Sequence, residues 1–150
     1  MKNLYENINI LIIGDSCKDV FKYGHVPRIA PEGPAPVFNP ICEKSNGGMA
    51  LNVKANIEAI GANATLLTQP EKITKIRYVD ERTNSLLIRV DEEQKVSEMS
   101  YSLMEEITNN QYNGMNFDAI IISDYCKGFL SEIHICEISH NNKNVFLDRD

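Results

Sequence analysis

Positive charge is the first thing this sequence is short of. Fifteen Lys and Arg face 21 Asp and Glu, for a formal net charge of −6 and a sequence pI near 5.1. The cations are scattered, with no basic run. A general nucleic-acid binder needs a basic face, so no nucleic-acid partner is expected. No apolar run approaches the ~20 residues of a membrane span, and the N-terminal MKNLYENIN lacks a signal-peptide pattern. No membrane partner is therefore expected, and the expected compartment is the cytoplasm. The four cysteines (Cys17, Cys42, Cys126, Cys136) form no CxxC pair, which argues against a zinc knuckle or a thioredoxin motif. Without an export signal they read as free, buried thiols. Internal repeats and low-complexity tracts are absent too.

What remains is an ordinary globular composition, 43% hydrophobic and 24% charged over 150 residues. That length suffices for one domain burying roughly two thirds of its unfolded surface. Four apolar runs read as strands: INILII (8–13), ATLLT (64–68), FDAIIIS (117–123) and NVFL (144–147). They lack strict alternation, as strands covered on both faces do. Helical patterns lie between them. GMALNVKANIEAIGA places Met49, Val53, Ile57 and Ile60 on one stripe, with Gly61 as its stop. SEMSYSLMEEITNN carries Met99, Leu103 and Ile107 along one side, with Ser97 as the expected N-cap. LSEIHICEISHNN supplies a third helix. Alternating strands and helices predict an open, mainly parallel sheet flanked by helices.

Two segments break that rhythm. VPRIAPEGPAPVFNPICEKS (26–45) holds all but one of the six prolines, so it is not helix and suits no central strand. KITKIRYVDERTNSLLIRVDEE (72–93) reads as a hairpin turning around Glu81–Asn84. Together they predict a small β-rich flap.

Chemistry-bearing residues cluster at strand ends. Asp15, Asp124 and Asp148 follow three separate predicted strands, and in an open α/β sheet those ends share the edge where ligands bind. An Asp after a strand is also a common turn or helix cap, so both roles stay open for each. Asp19 stands one helical turn beyond Asp15. In SNGGMALNVKAN (45–56), Gly47 and Gly48 free the backbone to approach a ligand at a helix start, and Asn52 and Asn56 share one helix face. The plain alternative is a Gly-rich turn with solvated Asn. No GK[ST] follows and the spacing is not GxGxxG, so neither a Walker loop nor a dinucleotide site is supported. Arg89 and Asp91 share a strand face, as a ligand-facing pair or a surface ion pair. Lys127 in SDYCKG stands near Asp124 and could hold a phosphate or pair with the acid. His134, Cys136 and His140 lack a completing ligand and read as a core thiol and surface histidines. No GxSxG nucleophile motif occurs.

Together these pieces resemble the ribokinase-like (PfkB) carbohydrate kinases, and within them the D-glycero-D-manno-heptose-7-phosphate kinase branch. The resemblance runs through GDSCKD, PRIAPEGPAPV, GGMALNVKANIEAIGA, TKIRYVDERTNSLLIRVDEE and ISDYCKGFL. It implies a partial ribokinase-like (Rossmann-like) α/β fold, one incomplete domain over 1–150 with a β lid from about 24–45 and 72–93. It implies that Asp19, Gly47, Gly48 and Asn52 bind sugar hydroxyls, with Arg89, Asp124 and Lys127 near the sugar or its phosphate. ATP and Mg2+ are the family's cofactors, but their GAGD-type turn and catalytic Asp are not found in this chain. The passage LLTQPEKITK also lacks the helix and further strand that full-length relatives place there.

The implied function is the sugar-binding N-terminal portion of a heptose-7-phosphate kinase-like protein, in nucleotide-heptose synthesis for cell-surface polysaccharide such as lipopolysaccharide. Phosphoryl transfer depends on positioning and charge stabilisation, so a chain without those elements is expected not to catalyse it alone. The rival is a non-catalytic sugar-phosphate-binding or subunit-interaction module. The expected partners are a sugar phosphate and either a second copy through the β lid or a missing C-terminal half.

Overall fold

The computed structural model describes residues 5–92 and 94–149. The first four residues of the N-terminal stretch, Glu93 of the expected hairpin and Asp150 lie outside the described residues. In chain order the elements are β1 (Asn9–Gly14), β2 (Ser16–Ile29), β3 (Pro36–Met49), α1 (Ala50–Ala59), β4 (Asn63–Leu67), β5 (Thr74–Asp80) and β6 (Leu86–Glu92). There follow α2 (Tyr101–Thr108), β7 (Gln111–Tyr112), β8 (Met115–Asn116), β9 (Ala119–Asp124), α3 (Glu132–Asn141) and β10 (Val145–Arg149). The chain divides into two compact units, one of Met1–Cys17, Gly47–Lys72 and Gln94–Asp150, the other of Lys18–Asn46 and Ile73–Glu93.

The first unit is the expected α/β body. Its sheet has the order β10-β9-β1-β4, and every pairing is parallel. The two inner strands supply the deepest core: Leu11, Ile12, Ile13, Ile120 and Ile122 are each at most 1% exposed. Covering both faces of a parallel strand demands such continuous aliphatic runs, and this is why those runs are recognisable. Met104, Ile107, Ile135 and Ile138 give α2 and α3 their buried sides. The N-cap of α2 is Ser100, whose hydroxyl accepts from Leu103 N–H, rather than Ser97. Ser97 instead donates to Glu71. Helix α1 stops where expected, at Gly61 with φ +90°. Its stripe is less buried than the pattern suggests: Ala50 is the buried residue of the helix, and Leu51 and Ile60 are exposed. The short β7–β8 hairpin turns on Asn113-Gly114, both at positive φ, a dipeptide suited to that turn. Among the described residues no helix is long and apolar enough to cross a membrane.

The second unit is a four-stranded sheet of order β3-β2-β5-β6. Here the proline-rich segment forms the ends of two long strands. Prolines 31 and 34 fall in the turn, which Ala30 N–H closes onto the carbonyl of Ala35 at 2.8 Å. Pro36 opens β3, and Pro40 lies within β3 at the sheet edge. Pro27 lies on β2 beyond Lys18–Gly24, the part paired with β5. Each proline thus avoids a position needing a ladder N–H on both sides. The β5–β6 hairpin is antiparallel as expected, with its turn held by Asp80, whose carboxylate accepts from Arg82 N–H, Thr83 N–H and the Thr83 hydroxyl.

The four cysteines form no disulfide among the described residues, but only Cys17 is buried; Cys42, Cys126 and Cys136 are exposed. They occupy an edge strand, a turn and the outward side of α3, where no core forms.

Candidate functional site

In the first unit the carboxyl ends of β1 and β9 gather a set of buried polar groups. Asp15 follows β1 and is 1% exposed. Its Oδ2 accepts two backbone N–H groups from the turn after β9, Tyr125 and Lys127, each at 3.0 Å. Its main-chain carbonyl accepts Ala50 N–H, the first residue of α1, at 2.9 Å. One residue therefore touches both the GGMALN segment and the SDYCKG turn. Its Oδ1 is buried and, like the Ser123 hydroxyl, has no hydrogen-bond partner among the described residues.

The next residue is pinned as tightly. Ser16 N–H donates to Gln69 Oε1 at 3.0 Å, Gln69 Nε2 donates to the Ser16 carbonyl at 2.6 Å, and the Thr68 hydroxyl donates to that of Ser16. The amide of Gln69 thereby extends the β1–β4 pairing past the strand ends.

Asp124, the last residue of β9, is also 1% exposed. Its Oδ1 accepts Cys126 N–H at 3.0 Å, and its Oδ2 lies 3.1 Å from Arg149 Nε. Parallel pairing sets Arg149 opposite Asp124, and the guanidinium also reaches Glu132 at 3.6 Å. Asp124 is thus engaged on both oxygens within the protein. Cys126 holds φ +54° and Gly128 φ +107°, so this turn keeps a left-handed conformation that side chains rarely adopt.

Burial pushes the Asp15 carboxyl above its ordinary value of 3.8. The backbone N–H groups of Lys127, Tyr125 and, more weakly, Phe129 pull it back, and Asp124 adds a smaller upward push. A folded-state pKa above the unfolded one means that the native state holds the proton more tightly. Its contribution to stability is fully present below pH 3.8 and is lost as pH rises through the higher folded value. Asp15→Asn should remove this dependence. Urea unfolding of both proteins across the acid range should show the wild type losing stability relative to Asp15→Asn as pH rises through that window. A wild type that gained instead would mean that the hydrogen bonds outweigh burial.

The expected site residues divide between the units. Gly47 is half-buried, Gly48 is buried and Asn52 is exposed, with Asn56, on α1. Both glycines end β3, and a Cβ at Gly47 would stand 2.7 Å from that of Leu51. Lys127 lies half-buried in the turn that Asp15 holds. Asp148 does not follow a strand as expected: β10 runs on through it to Arg149, and it is exposed. In the second unit Asp19 lies on strand β2, not a helical turn beyond Asp15, and pairs with Arg77. Arg89 and Asp91 share a face of β6 and form a two-bond ion pair at 2.7 Å each. Arg149 and Gln69 carry no signal in the sequence alone. Their partners stand 25 and 53 residues away in the chain, joined only by strand register.

A cavity of about 300 Å³ lies at the amino end of β9 and β10, away from these residues. Its Asn110, Asn142 and Asn144 amides donate to backbone carbonyls and hold loops together.

No family model matches the chain. The bifunctional protein HldE of Proteus mirabilis is 31% identical over 158 residues, covering 86% of this chain and 32% of that protein. HldE of Vibrio vulnificus strain YJ016 is 28% identical, covering 96% of this chain and 36% of that protein. The chain thus spans about a third of the length of these curated relatives. Among solved structures, phosphofructokinase-2 from Escherichia coli with substrates and products superposes with a TM-score of 0.55 at 18% identity, covering 95% of this chain and 54% of that one. The chain thus has the ribokinase-like α/β fold that it shares with phosphofructokinase-2, and over most of its length it is similar in sequence to part of the bifunctional HldE proteins.

Proposed function

We propose that this chain is the sugar-phosphate-binding portion of a carbohydrate-kinase-like protein, with a heptose 7-phosphate as its ligand. The observation that carries the reading is the joining, at one sheet edge, of the GGMALN and SDYCKG segments through Asp15, in a chain similar to HldE over most of its length. Gly47, Gly48 and Asn52 are the hydroxyl-binding group at the start of α1. Lys127 is the cation for the phosphate. Asp124, buried and bonded to Arg149 and Cys126, shapes the turn that carries Lys127. Asp19 and Arg89 are assigned to sugar contact from the resemblance, each already paired inside its own unit.

The reaction of the whole protein is proposed as phosphoryl transfer from Mg-ATP to the sugar phosphate. Among the described residues no three His, Cys, Asp or Glu side chains gather to hold a metal ion. What the chain supplies is binding and orientation, which govern much of such a reaction. The proposal extends to a second copy covering the edge strand β6, where Leu86, Leu87, Ile88 and Val90 are exposed.

Titration calorimetry of the purified chain with heptose 7-phosphate tests the reading, with fructose 6-phosphate as comparison. Saturable binding, tighter for the heptose, is expected. Absence of heat at millimolar ligand would overturn it. An assay for ADP release on the same sample separates a binding module from a self-sufficient kinase.

A further inference from the structure

We infer that Asp15 is a positioning residue, which locks the start of α1 and the turn after β9 into one arrangement so that both face the same sugar phosphate. The inference rests on the sugar-phosphate reading above and deepens it, by making the residue that joins the two segments necessary for binding.

Three observations carry it. Asp15 bonds to both segments, by its carbonyl to Ala50 and by its carboxylate to Tyr125 and Lys127. It is too buried to be a ligand contact itself, at 1% exposure with Oδ1 covered. The turn it holds also needs holding, because Cys126 at φ +54° is a conformation that persists only where its surroundings impose it. A carboxylate is well suited to this role. It is acceptor-only, so one oxygen can take two converging N–H groups without a competing donor. Strand pairing places Gly14 beside Ser123, which brings the two segments within reach of this side chain.

The test compares the wild type with Asp15→Ala and Asp15→Asn. Asparagine keeps an acceptor oxygen, whereas alanine keeps none. Hydrogen exchange on the intact chain should show the Tyr125 and Lys127 amides of Asp15→Ala exchanging about ten- to a hundredfold faster, with Ile120 and Ile122 unchanged. Asp15→Asn should stay close to the wild type. Affinity for heptose 7-phosphate should fall at least about tenfold in Asp15→Ala and be restored in Asp15→Asn. If Asp15→Ala leaves exchange at 125 and 127 unaltered, or loosens the turn while binding as the wild type does, the positioning role is wrong and the binding reading stands. If the wild type itself binds no heptose 7-phosphate, the binding reading fails and takes this role with it.

Discussion

Gly14→Ala should leave the first unit without its sheet. Gly14 ends β1 with φ +155° and lies opposite Ser123 in the parallel pairing of β1 with β9. A Cβ placed there would stand 2.6 Å from the carbonyl carbon of Ser123 and closer still to its oxygen. That neighbour is backbone in the most buried strand, so it cannot turn aside as a flexible side chain would. The strands must move apart, and Asp15, the next residue, would lose its hold on the turn after β9. A clash of this kind in a packed core costs more than about 3 kcal/mol, a large share of the stability of a domain this size. Far-UV circular dichroism with urea titration should show Gly14→Ala unfolded, or with a strongly lowered midpoint. A variant that unfolded at the wild-type midpoint would show that the two strands are free to separate there.

The second large effect is expected at Asp19. Its carboxylate pairs with Arg77, and the two side chains are 16% and 25% exposed. The guanidinium of Arg77 also lies over the ring of Phe21, 5.2 Å from its centroid. Asp19→Asn would leave a half-buried cation without its counter-charge, at a cost of about 1–2 kcal/mol once the remaining solvent access is allowed for. Arg77→Ala removes the other partner. In a double-mutant cycle the two losses should fall short of additive, by about 1 kcal/mol. If Asp19 also accepts a sugar hydroxyl, Asp19→Asn should weaken heptose 7-phosphate binding about ten- to a hundredfold, whereas Arg77→Ala, which keeps the carboxylate, should weaken it less. Wild-type affinity in Asp19→Asn would reduce Asp19 to a strut of its own sheet.

Much of the body is legible in the sequence because its determinants are local. Runs such as ILII and AIIIS admit few structures other than buried strands, and Gly61 ends α1 as a C-terminal glycine should. The hairpin of β5 and β6 is visible in its alternating Ile, Tyr, Leu and Val around a polar turn. Expectation and structure part where local signals conflict. In SCKDVFKYGHV after β1, the spacing of Asp15 and Asp19 suits one face of a helix. The Val, Phe and Tyr of the same stretch favour a strand, and pairing with β3 and β5 makes it one. The Asn-Gly of β7–β8 is a further local turn signal, in a hairpin too short to stand out from the helix before it.

The alternation of strands and helices, the net negative charge, and the confinement of proline to turns, edges and strand ends were all legible in the sequence. Each follows from a property a residue carries with it: its side-chain shape, its charge or its missing N–H. Only the tertiary structure decided what each carboxylate does. Asp15, Asp19, Asp124 and Asp148 are chemically alike, yet one clamps two segments, one pairs with Arg77, one with Arg149, and one is exposed on an edge strand. Asp15 and Lys127 stand 112 residues apart. Contacts of that reach are set by strand order and register, which no local stretch of the chain specifies.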